Sequence, residues 1–120
     1  MTQAFSSLRV NSDRMLDAFN QLAFIGATAD SGVDRPTFSE SHLAARKWFR
    51  DHIEASGLEF RTDGAGNHSA CLPCDDPNAP TLILGSHLDS VPNGSRFDCA
   101  LGVMAALEAL KTVRENGIKL

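Results

Sequence analysis

The 120-residue chain has no long apolar run, no cluster of basic residues and too few cysteines for a disulfide framework. Each absence removes a class of function. No apolar stretch approaches the roughly 18 residues that a membrane-spanning helix needs. Lysine and arginine total 11 against 15 aspartates and glutamates, a net charge of −4. The basic residues sit singly, so nothing here tracks a phosphate backbone, and neither nucleic acid nor membrane is expected as a partner. Three cysteines are an odd count, unsuited to a secreted disulfide scaffold. Cys71-Leu72-Pro73-Cys74 has the spacing of a redox or zinc pair, but no second pair follows and it opens no helix, so a hairpin edge is the plainer account. Met1-Thr2-Gln3-Ala4-Phe5 lacks the basic and apolar regions of a signal peptide, and the sequons at Asn67 and Asn93 then carry no weight. The chain reads as soluble and cytoplasmic. It contains no internal repeat, and no Gly-x-Ser-x-Gly elbow surrounds Ser86.

What is present suits one domain, residues 1–120, with 42% hydrophobic residues to build a core. Met15, Leu16, Phe19, Leu22, Ala23 and Ile25 recur at helical spacing, with Asn11 or Ser12 to cap the start and Gly26 to end it. Ser39 opens a second helix with Leu43, Ala44, Phe49 (or Trp48) and Ile53 on one face, closed by Gly57. Residues 58–62 alternate as a half-buried strand and, after the turn at Asp63–Gly66, residues 67–72 return beside them. Thr81-Leu82-Ile83-Leu84-Gly85 reads as a strand buried on both faces. A helix over 100–115 follows, with Leu101, Val103, Met104, Leu107, Leu110 and Val113 inward. This order predicts an α/β fold, layered α/β/α with a central mixed sheet.

The chemistry-bearing stretch is Gly85-Ser86-His87-Leu88-Asp89-Ser90, followed by Phe97-Asp98. His87 falls at the C-terminal end of the expected buried strand, where open α/β sheets place their ligand sites. An imidazole there can bind a divalent metal through one nitrogen while a carboxylate fixes the other. Asp89 leaves the same side of an extended backbone, two residues on. Asp98, just ahead of the next helix, can ligate a metal or simply cap that helix. His42, His52 and His68 fall at expected surface or hairpin positions and read as solvated. Trp48 reads as a packing residue.

The segment from Gly85 to Val103 closely resembles the metal-binding segment of the N-carbamoyl-L-amino-acid hydrolase and allantoate amidohydrolase family, within the dinuclear zinc-type amidohydrolases and aminopeptidases. Gly32-Val33-Asp34-Arg35, Phe38-Ser39, Ala45-Arg46-Lys47-Trp48, Asp63 and Gly66-Asn67 fall in the family's order, so the resemblance covers nearly the whole chain. It implies the fold of the N-terminal part of a zinc-aminopeptidase-like catalytic domain. It further implies that His87 and Asp98 are metal ligands, Asp98 bridging two ions, and that Asp89 is the catalytic-site residue orienting His87. The implied cofactor is a pair of divalent metals, zinc first, with manganese, cobalt or nickel as alternatives. The implied reaction hydrolyses a carbamoyl or ureido C–N bond of a small molecule to give an amino acid, ammonia and carbon dioxide. Cys99 and Ser95 stand where the family usually has glycine, and a thiol beside Asp98 would crowd the site or act as a soft ligand.

The family's enzymes are much longer. The resemblance implies that their C-terminal half, with its paired glutamates and remaining ligands, and their dimerisation domain have no counterpart here, so these 120 residues should be inactive alone. A rival reading is a non-catalytic, truncated domain that acts as an oligomerising or binding module. Unpaired strand edges would then join a second copy, and a homo-oligomer is expected. A third, weaker reading is a thiol or metal-handling protein using Cys71, Cys74 and Cys99.

Overall fold

Helix α1, Ser12–Phe24, starts where Asn11 accepts a hydrogen bond from the Arg14 amide, satisfying one of the free donors of the first turn. It stops at Ile25 and Gly26, whose φ of +85° a side chain resists and where an added Cβ would meet the Asp34 carbonyl at 2.7 Å. Helix α2, Glu40–Ala55, is capped by the Ser39 side chain on the His42 amide and ends before Gly57 at φ +70°. Helix α3, Ala100–Glu115, closes at Asn116 and Gly117. The computed structural model describes residues 5–120, and the leading Met1–Ala4, part of the segment read as lacking a signal peptide, lies outside them.

Strands β1, Glu59–Thr62, and β2, His68–Cys71, pair antiparallel with Glu59 opposite Cys71 and Thr62 opposite His68. Asp63 makes the turn. Its carboxylate accepts from the Ala65 and Asn67 amides and from the Asn67 side chain, which holds its pKa below the ordinary carboxylate value. One apolar core gathers Ala18, Phe19 and Leu22 of α1, Ala45, Phe49 and Ile53 of α2, and Ala100, Val103, Met104 and Leu107 of α3, with Leu58 beneath the hairpin.

Three expectations need correction. Thr81–Gly85 forms no strand, and Leu82, Ile83 and Leu84 are 84%, 83% and 59% exposed. An apolar strand of that kind needs a neighbour on each edge, and the hairpin is the sole sheet among the described residues. The helix-and-sheet class therefore stands with a two-stranded antiparallel sheet in place of the central mixed one. The radius of gyration, 15.4 Å, exceeds the roughly 13.6 Å of a compact chain of this length. Second, the apolar stripes hold at Phe19, Leu22, Phe49, Ile53, Val103, Met104 and Leu107 but not at their edges. Leu43 and Leu101 face solvent, while His42 on α2 and Glu108, Lys111 and Thr112 on α3 are buried. Third, His42 and His52 are packed rather than solvated. His42 Nδ1 accepts the Phe38 amide at 2.9 Å, and His52 stacks on Trp48 while its Nε2 lies 2.9 Å from Lys111 Nζ. Burial, with nearby cations adding, lowers the pKa of both.

Candidate functional site

Arg35 builds the floor of the site. It is 2% exposed, and its guanidinium donates to the carbonyls of Leu22 and Ile25 at the end of α1 and of Leu88 in the site segment, at 2.9, 2.9 and 2.6 Å. Burial lowers its pKa, with the nearby Asp89 charge opposing. Its backbone runs beside Ser90: the Ser90 amide donates to the Arg35 carbonyl, the Arg35 amide to Ser90 Oγ, and Ser90 Oγ to the Val33 carbonyl. Val33 and Gly94 exchange backbone bonds at 2.8 Å each. The loop at 33–37 is thus laced onto the segment that carries His87 and Asp89.

On that floor His87 and Asp89 meet. His87 Nδ1 lies 3.2 Å from Asp89 Oδ1 and 3.0 Å from the Asp89 carbonyl oxygen. Both neighbours only accept when the carboxylate is ionised, so Nδ1 carries the proton of a neutral ring and Nε2 keeps its lone pair. The other carboxylate oxygen, Oδ2, accepts the Thr37 hydroxyl at 2.7 Å. That bond is the main reason the Asp89 pKa sits below the ordinary carboxylate value, with burial opposing it.

Asp98 arrives by a separate route. Phe97 stacks on Phe19 of α1 with centroids 5.4 Å apart, and the Arg96 guanidinium lies 4.8 Å above the Phe97 ring. Cys99, not Asp98, occupies the cap position of α3, and no side chain caps it. The Asp98 carboxylate therefore stays exposed, accepting only from Cys99 Sγ at 3.5 Å among the described residues. Ser86 Cβ lies 3.6 Å from where a Gly102 Cβ would stand, so the chain entering His87 crosses the first turn of α3 just beyond Asp98. Asp98 makes no bond to the His87–Asp89 pair, and among the described residues no three His, Cys, Asp or Glu side chains converge.

Cys99 has φ +57° and ψ −35°, and the Ala100 amide reaches back to the Asp98 carbonyl at 2.6 Å. This is a γ-turn with positive φ at its centre, a strained form that glycine adopts freely. Replacing Cys99 with glycine should stabilise the fold by about 1 kcal/mol, the relieved strain exceeding the added entropy of the unfolded chain. A rise in urea midpoint at unchanged slope checks this, and a fall contradicts it.

The sequence pattern singles out His87, Asp89 and Asp98 as candidates and carries no comparable signal for Thr37 or Ser90. The signal for Thr37 was a hydroxyl following proline in a loop, too common to single out. No family model matches the chain. Its curated relatives include an N-carbamoyl-L-amino-acid amidohydrolase of Rhizobium meliloti, 38% identical over 92% of this chain and 27% of the relative. An allantoate amidohydrolase of Bacillus subtilis is 36% identical over 83% of this chain and 24% of its own. Among solved structures, a hydantoinase/carbamoylase family amidase from Burkholderia ambifaria matches with a TM-score of 0.88 and 33% identity, over 93% of this chain and 28% of that one. The chain spans about a quarter of the length of the relatives it matches.

Proposed function

Because the chain belongs to the family of the N-carbamoyl-L-amino-acid and allantoate amidohydrolases, over the quarter of their length that it spans, we propose that it supplies part of a metal-dependent hydrolase of linear C–N amide bonds. The substrate class is a small N-carbamoyl or ureido acid. The observation that carries the reading is the His87–Asp89 pair, with Nδ1 turned to acceptor oxygens and Nε2 left as a donor. His87 Nε2 and the exposed Asp98 carboxylate fit a divalent metal in chemistry, though two donors fall short of the usual four. They would hold zinc, or manganese, cobalt or nickel, together with donors from outside this quarter. A metal held there would supply Lewis-acid polarisation of a substrate carbonyl and a lowered pKa for a bound water. This chain's own share is to present Nε2, to hold the Nδ1 proton on Asp89, and to offer Asp98 free of any capping role. The 120 residues alone are inactive in this reading. Three free thiols favour a reducing, cytoplasmic setting.

A chimera in which this chain replaces the matching quarter of an N-carbamoyl-L-amino-acid amidohydrolase should release ammonia from N-carbamoyl amino acids when zinc is supplied. His87→Ala or Asp98→Ala should cut that rate at least about 100-fold, with bound metal falling in parallel. An Asp98 variant with full rate and full metal content would sink the assignment.

The exposed Leu82, Ile83 and Leu84 favour a second reading, in which the chain self-associates through this unpaired apolar segment. Sizing at increasing concentration should then reveal a dimer that Ile83→Lys disperses. A chain that stays monomeric excludes it.

A further inference from the structure

The two oxygens of the Asp89 carboxylate are used separately. Oδ1 faces His87 Nδ1 at 3.2 Å and Oδ2 takes the Thr37 hydroxyl at 2.7 Å. Without Thr37 the carboxylate would be free to rotate about χ2, a broad torsion for aspartate. Thr37 itself is held on both sides. Ahead of it, Arg35 and Val33 are bonded to Ser90, and Pro36 fixes its own φ. Behind it, the Ser39 amide returns to the Pro36 carbonyl at 3.0 Å. The Phe38 amide donates to the buried His42 at 2.9 Å, which keeps Phe38 at φ +63° although a bulky side chain disfavours that backbone. A hydroxyl so bracketed loses little further entropy in holding its acceptor.

We propose that Thr37 is a positioning residue for this site, its hydroxyl fixing the Asp89 carboxylate on His87 Nδ1 so that Nε2 faces outward as a metal donor. The inference rests on the reading of His87 as a metal ligand, but the tautomer of His87 reports on it without any metal. In water a free histidine side chain favours the proton on Nε2, so the Nδ1-protonated form has to be imposed by its partners.

Ring nitrogen–proton correlation spectra of the full chain distinguish the two tautomers of the uncharged ring. Wild type should show Nδ1 protonated and Nε2 bare. Thr37→Val, which keeps the shape and loses the donor, should move both shifts toward the free-histidine pattern. Thr37→Ser should restore the wild-type pattern, which a merely steric role for Thr37 would not require. In the zinc-loaded chimera, Thr37→Val should weaken zinc about threefold to tenfold, below the roughly 10- to 100-fold loss seen when a direct orienting partner is removed. A Thr37→Val spectrum identical to wild type overturns the proposal. Asp89→Ala separates the two possible failures. If it shifts the spectrum where Thr37→Val does not, the role of Thr37 alone falls. If neither variant shifts it, the pairing of His87 with Asp89 falls as well.

Discussion

Arg35→Ala should lower the stability of this chain by about 3–5 kcal/mol, a large share of the 5–15 kcal/mol typical of a domain. The guanidinium is almost wholly buried, and among the described residues no carboxylate is bonded to it. Its hydrogen bonds go to three carbonyls, two on the end of α1 and one on the site segment. Deleting it strips the part-buried Ile25 and Leu88 carbonyls of the donor they face, at about 1–3 kcal/mol each to the extent that water does not reach them. The Leu22 carbonyl suffers less because the Ile25 amide also reaches it. Relief of the desolvated charge, which already lowers the Arg35 pKa, offsets part of the loss. Arg35→Lys keeps the charge but offers one compact ammonium where a planar fork spans two directions, so it should cost about 2 kcal/mol. Urea unfolding followed by circular dichroism gives both numbers. An Arg35→Ala protein within about 1 kcal/mol of wild type would mean that water replaces the guanidinium at these carbonyls and that the Ser90 bonds to the Arg35 and Val33 backbone hold the site segment.

Arg35 also marks the limit of what the sequence discloses. The helices were legible because their signals are local: Asn11 and Ser39 have side chains of the right length to cap, and Gly57 tolerates its positive φ. The hairpin was legible for the same reason, through alternation on either side of Asp63–Gly66. The pairing of His87 with Asp89 followed from a two-residue step along extended backbone, and that contact forms even though no strand does. Long-range polar work left no local trace. Arg35 sits in a Gly/Pro-rich loop and looks solvated until its carbonyl partners 10 to 53 residues away are known. Thr81–Gly85 failed for the opposite reason. Its local signal was read correctly as apolar on both faces, but a strand needs partners and the described residues supply none. Apolar periodicity points Leu43 and Leu101 inward because it cannot see that His42 and Glu108 have hydrogen-bond partners of their own.

Glu108 carries the second large effect, because it is a buried carboxylate that three elements depend on. At 2% exposure it accepts from Arg14 Nε at 3.0 Å and Nη2 at 2.6 Å, and from the Asn11 amide at 3.2 Å, joining α3 to the start of α1. Its charge also faces Lys111, one turn on, whose ammonium is buried against His52 of α2. Burial lowers the pKa of Lys111, and the charge of Glu108, with a smaller one from Glu115, opposes that fall. Glu108→Ala should therefore cost about 3–4 kcal/mol. Arg14 is partly exposed and retains Glu115, so it rehydrates at modest cost. Most of the loss falls on Lys111, left as a buried cation beside a neutral imidazole, with the weaker charge of Glu115 as the opposing charge that remains. That division is testable. If Lys111 bears the cost, Glu108→Ala combined with Lys111→Met should recover at least about 1 kcal/mol relative to Glu108→Ala alone, although Lys111→Met by itself is neutral or destabilising. Strict additivity in the cycle would instead assign the loss to Arg14 and the α1 cap. The distinction matters for the site, since the end of α1 is the platform on which Arg35 holds the His87–Asp89 segment, and a loosened α1 would reach the imidazole through that single buried guanidinium.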